Sequence, residues 1–204
     1  PGRREMLLAD RAAARQTRGV GDRICILSFG GSLGAANVTR AVAGLIAWHR
    51  GEKGVHHIHA TGQGAWEEFP ALLGEAGAAA RAPHVDLRPY IDDMDDCMAA
   101  ADLVICRAGA TTLSEIEAAG KASLLIPSPY VAENHQYYNA MELVDAGAAL
   151  ICEEKDLTAR RLIDQVQRLL EHPQELVRLG RNARKLAILD ANDRIVNEIL
   201  SMLP

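Results

Sequence analysis

Leu103-Val104-Ile105-Cys106-Arg107-Ala108-Gly109-Ala110-Thr111-Thr112-Leu113-Ser114-Glu115-Ile116 passes from an apolar run through a small-residue turn into a helical pattern. Leu103 to Cys106 reads as a buried strand, Ala108 to Thr112 as the turn, and Thr112 to Ala119 as a helix. A strand–turn–helix joint of this kind aims several backbone N–H groups, and the positive end of the helix dipole, at one spot. That spot suits a phosphate. Glu115, just inside the helix, stands where it can accept hydrogen bonds from a ribose diol, so the stretch points to a nucleotide-diphosphate ligand. Simple capping by Thr111, Thr112 or Ser114, with Glu115 as a first-turn acid, would explain the helix start. It leaves Ala108 and Gly109 unexplained.

Working outward, the same alternation fills the chain. Ile24 to Phe29, His56 to Ala60, Val85 to Leu87, Ser123 to Ile126 and Ala149 to Cys152 read as further short strands. Helical spacing covers Leu33 to Trp48, Trp66 to Ala76, Asp92 to Ala100 and Asn134 to Ala146, and everything from Thr158 onward. Unbroken apolar strands separated by helices indicate a parallel sheet covered on both faces. The expectation is one α/β domain over residues 1–204, a doubly wound, Rossmann-like sheet of about six strands. Residues 1–22 read as a linker-like start and residues 191–204 as a terminal helix that packs either on this domain or on a neighbouring unit. In such sheets ligands bind beyond the carboxyl ends of the strands. The unusual loops, Gly30 to Ala35, Thr61 to Gly64, Pro89 to Met94, Arg107 to Glu115 and Ser128 to Gln136, all fall on that rim.

The bulk properties exclude several classes. With 204 residues the chain can bury a sizeable core. A formal net charge of −5 argues against a duplex nucleic-acid binder, so nucleic acid is not expected as a partner. No stretch approaches the roughly 18 apolar residues of a membrane-spanning helix. The start, Pro1-Gly2-Arg3-Arg4, carries no secretory signal and no initiator Met, and reads as a fragment or a processed chain. Cys25, Cys97, Cys106 and Cys152 show no C-x-x-C spacing, and they read as buried thiols in a reducing compartment.

Three more loops carry polar groups in suggestive places. Gly30-Gly31-Ser32-Leu33-Gly34-Ala35 follows the first strand and lets backbone approach a ligand, with Ser32 at a helix start. It is neither the G-x-G-x-x-G dinucleotide pattern nor a Walker loop, and a tight turn with a capping serine would also account for it. Pro129 to Asn139 runs from a polar, aromatic loop into a helix with Gln136 and Asn139 on one side, suited to sugar hydroxyls or to ordinary surface polarity. Asp92-Asp93-Met94-Asp95-Asp96 reads as acids at a helix start rather than a metal cluster. His57 and His59 face one side of a strand but lack a third ligand for zinc.

Four of these motifs in order, Gly30 to Ala35, Tyr90-Ile91-Asp92-Asp93-Met94, Cys106 to Glu115 and His135-Gln136-Tyr137-Tyr138-Asn139-Ala140, resemble the MurG family of peptidoglycan glycosyltransferases. The resemblance covers nearly the whole chain and is to the C-terminal, donor-binding half of a two-domain GT-B architecture. It implies transfer of N-acetylglucosamine from UDP-N-acetylglucosamine to lipid I, giving lipid II, with inversion and without metal or other cofactor. It also implies peripheral association with the cytoplasmic face of the bacterial inner membrane through the other half, where the acceptor site and general base would lie. No catalytic residue is expected in this half.

By position, Ser32 and the amides around Gly31 would meet the diphosphate, Ile91 the uracil edge, and Glu115 the ribose hydroxyls. Ala110, Thr111, Thr112, Leu113 and Ser114 would line phosphate and sugar, with Arg107 against the developing charge. Gln136 and Asn139 would hold the sugar, and Arg3 would lie near the nucleotide. Leu33 and His135 depart from glutamines common at those places. Two other readings stay open: a UDP-N-acetylglucosamine 2-epimerase-like enzyme, and a donor-binding subunit that works with a separate membrane-bound partner.

Overall fold

The computed structural model describes residues 10–30, 36–50, 53–78 and 82–202, with side chains as far as residue 187. Among these residues six strands form one parallel sheet: β1 (Ile24–Phe29), β2 (Val55–Ala60), β3 (Val85–Arg88), β4 (Leu103–Cys106), β5 (Ala122–Leu125) and β6 (Ala149–Ile151). Their spatial order is β3-β2-β1-β4-β5-β6. The chain winds from β1 to one edge, then returns to lay β4 on the other side of β1. This is the doubly wound arrangement expected from the alternating pattern.

The helices are α1 (Arg11–Thr17), α2 (Ala36–His49), α3 (Phe69–Glu75), α4 (Met94–Ala100), α5 (Ala110–Ala119), α6 (His135–Asp145), α7 (Ala159–Glu171) and α8 (Pro173–Met202). Side chains alternate across the sheet into two cores. Leu27, Ile58, Val104 and Cys106 meet Met98, Leu113, Ile116 and Leu143 on one face. Ile26, Leu103, Ile105 and Leu124 meet Val42, Leu45, Leu162 and Val166 on the other. Burial on both faces is why the central strands read as continuous apolar runs.

Register positions the rim. Arg88, Ala60, Phe29, Cys106, Leu125 and Ile151 lie in one row across the sheet, so the strands end level. The loops that follow start side by side. Boundaries shift slightly from the expected ones. The helix after β4 starts at Ala110 rather than Thr112, because Gly109, extended at φ −71° and ψ 140°, serves as its N-cap. The helix expected from Trp66 starts at Phe69, with Pro70 in its first turn, after a short 3-10 turn at Gln63–Ala65.

The start of the chain differs more. The stretch before Arg23, read as linker-like, contains from Arg11 a helix docked on α4. Asp102, just before β4, accepts from Arg11 Nη2 at 2.6 Å, Arg15 Nη1 at 3.0 Å and the Cys25 N–H at 2.8 Å. Burial works against its ionisation, but the Cys25 N–H and the two arginines outweigh it and hold the carboxyl below its usual range. At the other end, residues 191–202 continue α8 without a break rather than forming a separate helix. α8 lies close against the turn before β5. A Cβ on Gly180 would fall 2.5 Å from the Gly120 carbonyl oxygen, so only glycine permits that approach. Among the described residues no helix is long and apolar enough to cross a membrane.

Candidate functional site

A cleft of about 800 Å³ opens on the rim where the strand order reverses. Phe29, Gly30, Ala36 and Thr39 form one wall, and Thr61 to Ala65 with Glu68 form the second. Pro89, Tyr90, Ile91 and Met94 form the third, and Glu115 reaches in from α5. Ile91 and Glu115, far apart in sequence, therefore share one hollow. Ile91 is buried, while Tyr90 beside it is exposed. Burial and, after it, the Glu115 charge push the Cys106 thiol up to about 12. Cys106 is thus a neutral packing group under the site, not a nucleophile.

The start of α5 carries no side-chain cap. Its N-cap is Gly109, so Thr111, Thr112 and Ser114 do not play the capping role that was the alternative explanation. The Leu113 N–H already donates to the Gly109 carbonyl at 3.0 Å. The amides of Ala110, Thr111 and Thr112 precede it in the first turn, where helix N–H groups lack intrahelical partners. Ala110 and Thr111 are exposed, and Ser114 is half-buried. Leu113 does not line the site through its side chain, because that side chain is in the core with Ile116.

Other expected site residues brace the rim. Gln136 Oε1 accepts from the Ser128 N–H at 2.8 Å and the Ala108 N–H at 3.3 Å, and Asn139 Nδ2 donates to the Ala108 carbonyl at 3.4 Å. Both thus sit against the turn into α5, outside the large cleft. Arg107 also differs from expectation: its side chain is buried and paired with Glu154 at 2.6 Å rather than open to the cleft. A second, smaller hollow of about 300 Å³, lined by Asn37, Pro129, Tyr130, Asn134, Tyr137 and Glu154 among others, takes the Ser128–Gln136 loop. Among the described residues, the rim loops thus line two separate hollows. Arg3, Gly31, Ser32 and Leu33 lie outside the described residues.

The acidic run has a local explanation. Asp93 accepts from Arg18 at 2.6 Å and from Arg88 at 2.7 Å, and against the effect of burial these arginines hold its carboxyl below the usual range. Among the described residues no three His, Cys, Asp or Glu side chains group as metal ligands. All four thiols are buried and free. Sequence reasoning missed Asn37 and Glu154, and also Thr39 and Glu68 in the cleft wall. None lies in a motif, and only adjacency in the fold reveals them.

Comparison with known proteins adds the family. Residues 25–195 match the Glycosyltransferase family 28 C-terminal domain. The chain belongs to that family. It is 40% identical over 204 residues to the UDP-N-acetylglucosamine–N-acetylmuramyl-(pentapeptide) pyrophosphoryl-undecaprenol N-acetylglucosamine transferase of Acetivibrio thermocellus, covering all of this chain and 54% of that protein. Among solved structures, MurG of Acinetobacter baumannii superposes with a TM-score of 0.75 at 30% identity, over 97% of this chain and 55% of that one. Anabaena HepE, crystallised with UDP and glucose, shares the fold at a TM-score of 0.67 and 20% identity, over 95% of this chain and 52% of that one. The chain spans about half the length of the relatives it matches. The family 28 match and these superpositions agree with the α/β, Rossmann-like donor-half architecture expected from the motifs.

Proposed function

We propose that this family 28 domain binds UDP-N-acetylglucosamine and serves as the donor half of an inverting transferase that converts lipid I to lipid II. The observation that carries the reading is the meeting of Ile91 and Glu115 in one cleft beside the side-chain-free cap of α5. Uracil would lie along the Ile91 backbone, and the ribose hydroxyls would donate to Glu115. The diphosphate would face the first-turn amides of α5. As the glycosidic bond breaks, negative charge develops on the departing UDP. Helix-start amides already oriented toward it stabilise that charge without metal. Gln136, whose carbonyl oxygen is held by two backbone amides, would turn its NH₂ group to the sugar.

The acceptor, its general base and contact with the membrane surface are assigned to the half of the relatives that this chain does not span. Taken alone, the chain is expected to bind donor and transfer nothing. Calorimetry with UDP-N-acetylglucosamine tests the donor site. Glu115→Ala is expected to weaken binding by about 1–3 kcal/mol, through loss of charge-assisted hydrogen bonds. Unchanged affinity would remove the ribose role. Turnover of a lipid I analogue by these residues alone would overturn the division of labour.

A further inference from the structure

Glu154 follows β6, away from the cleft that contains Ile91 and Glu115, yet its side chain is only 5% exposed. Its Oε2 lies 2.6 Å from Arg107 Nη1, and its Oε1 accepts from Asn37 Nδ2 at 2.9 Å. Arg107 is the first residue past β4, and its Nη1 also donates at 3.3 Å to the carbonyls of Ile126 and Pro127. Asn37 lies in the first turn of α2. One carboxylate thus ties the exit of β6 to the start of α2 and to the turn that enters α5. Those last two segments are the helix starts that flank the reversal of strand order.

A buried ion pair is a poor way to gain stability, because desolvating two charges offsets most of their attraction and apolar residues of similar volume often do as well. An apolar pair at 107 and 154 would fill the same space. It would not hold both partners, since only a carboxylate sets a negative charge against Arg107 through one oxygen while the other accepts from Asn37. The bland role, a strut for the β4–β5–β6 half, is served already by the ladder bonds Ile126 N–H to Cys106 and Cys152 N–H to Leu125.

We propose that Glu154 is a positioning residue for the donor diphosphate: through Arg107 and Asn37 it sets the spacing between the start of α2 and the start of α5. The inference rests on the donor-site reading above. It predicts that the loss falls on the phosphate part of the ligand and spares the nucleoside part, which sits at Ile91 and Glu115.

The test titrates UDP and uridine separately into the wild-type chain, Glu154→Gln and Asn37→Ala, with thermal unfolding in parallel. Glu154→Gln keeps the volume but cannot satisfy both donors. It is expected to raise the Kd for UDP about tenfold while the Kd for uridine stays within about twofold. Asn37→Ala removes an exposed side chain outside both cores, and is expected to give the same selective loss at about threefold. Equal weakening of both ligands, or a lowered Tm with the UDP-to-uridine preference intact, would overturn the positioning role and leave Glu154 a structural strut. Should Glu154→Gln fail to fold, Asn37→Ala decides on the same criterion. A wild-type chain that binds UDP no better than uridine would instead reject the donor-site reading, and the inference with it.

Discussion

Strands β2 and β4 flank β1 on either side and are both buried along their length, yet one is Val55-His56-His57-Ile58-His59-Ala60 and the other Leu103-Val104-Ile105-Cys106. In β4 burial needs nothing beyond apolar side chains. In β2 it needs a network. Ser28 Oγ lies 2.7 Å from His57 Nε2 and 2.8 Å from His59 Nδ1, and His49 Nε2, at the end of α2, lies 2.8 Å from His57 Nδ1. The Ser28 carbonyl, 3.2 Å from His59 Nδ1, orients the chain: His59 donates toward Ser28, Ser28 donates to His57, and His57 donates to His49. A serine on the neighbouring strand and a histidine on the covering helix thus let His57 and His59 occupy core positions. Polar residues are tolerated in a parallel sheet where they satisfy one another, and such sites depend on protonation as apolar ones do not.

Acid is the largest way to separate the two strands. Burial lowers His49 and His59 to about 4 and moves His57 well below the usual imidazole value. Burial and then the neighbouring His84 lower His56 to about 4. The unfolded chain binds these protons at about pH 6.5 and the folded chain does not. Their contribution is therefore whole above pH 6.5 and shrinks as pH falls; for His49, His56 and His59 it stops changing below about pH 4, while that of His57 goes on falling. Between pH 7 and 5 each histidine removes up to about 2 kcal/mol, and several kcal/mol in all is expected from urea unfolding at the two pH values. A flat profile would mean that the histidines are hydrated or charged in the folded state.

Single substitutions come next. His57→Ala should cost about 4 kcal/mol at pH 7, from a cavity plus the stranded Ser28 hydroxyl and His49 ring. Leu103→Ala, in the same register row through Ile26, should cost about 3 kcal/mol, with no pH dependence between 7 and 5. If the two variants lost stability with identical pH profiles, the contrast between the strands would collapse. The smallest effect is a surface control on α7: Arg160→Ala breaks an exposed i,i+4 pair with Asp164 at 2.9 Å and should change stability by no more than about 0.5 kcal/mol.

How legible these regions were follows from the range of the forces involved. The strands, the connecting helices and the parallel sheet were readable because apolar periodicity is local and burial on both faces leaves an unbroken signature. That Ile91 and Glu115 meet in one cleft was foreshadowed by motifs, since each sits in a rim loop or helix start with its own pattern. The burial of Arg107, expected among the donor-binding residues, was not readable. Its partner Glu154 lies in a segment with no motif, and only the placement of β6 beside β5 brings the two together. Helix α1 was missed for a similar reason, since Arg11 and Arg15 show their purpose only when Asp102 is packed beneath them.

By itself the sequence determined the strand and helix pattern, the level rim on which loops gather, and the family to which that rim belongs, since these arise from neighbours in the chain and from ordered motifs. Tertiary structure alone decided that, among the described residues, Glu115 and Glu154 line different hollows of the rim. It also decided that His57 and His59 bind a buried serine and that Glu154 braces Arg107. Electrostatic and hydrogen-bond partners are chosen by distance in space, and that distance exists only once the sheet has formed.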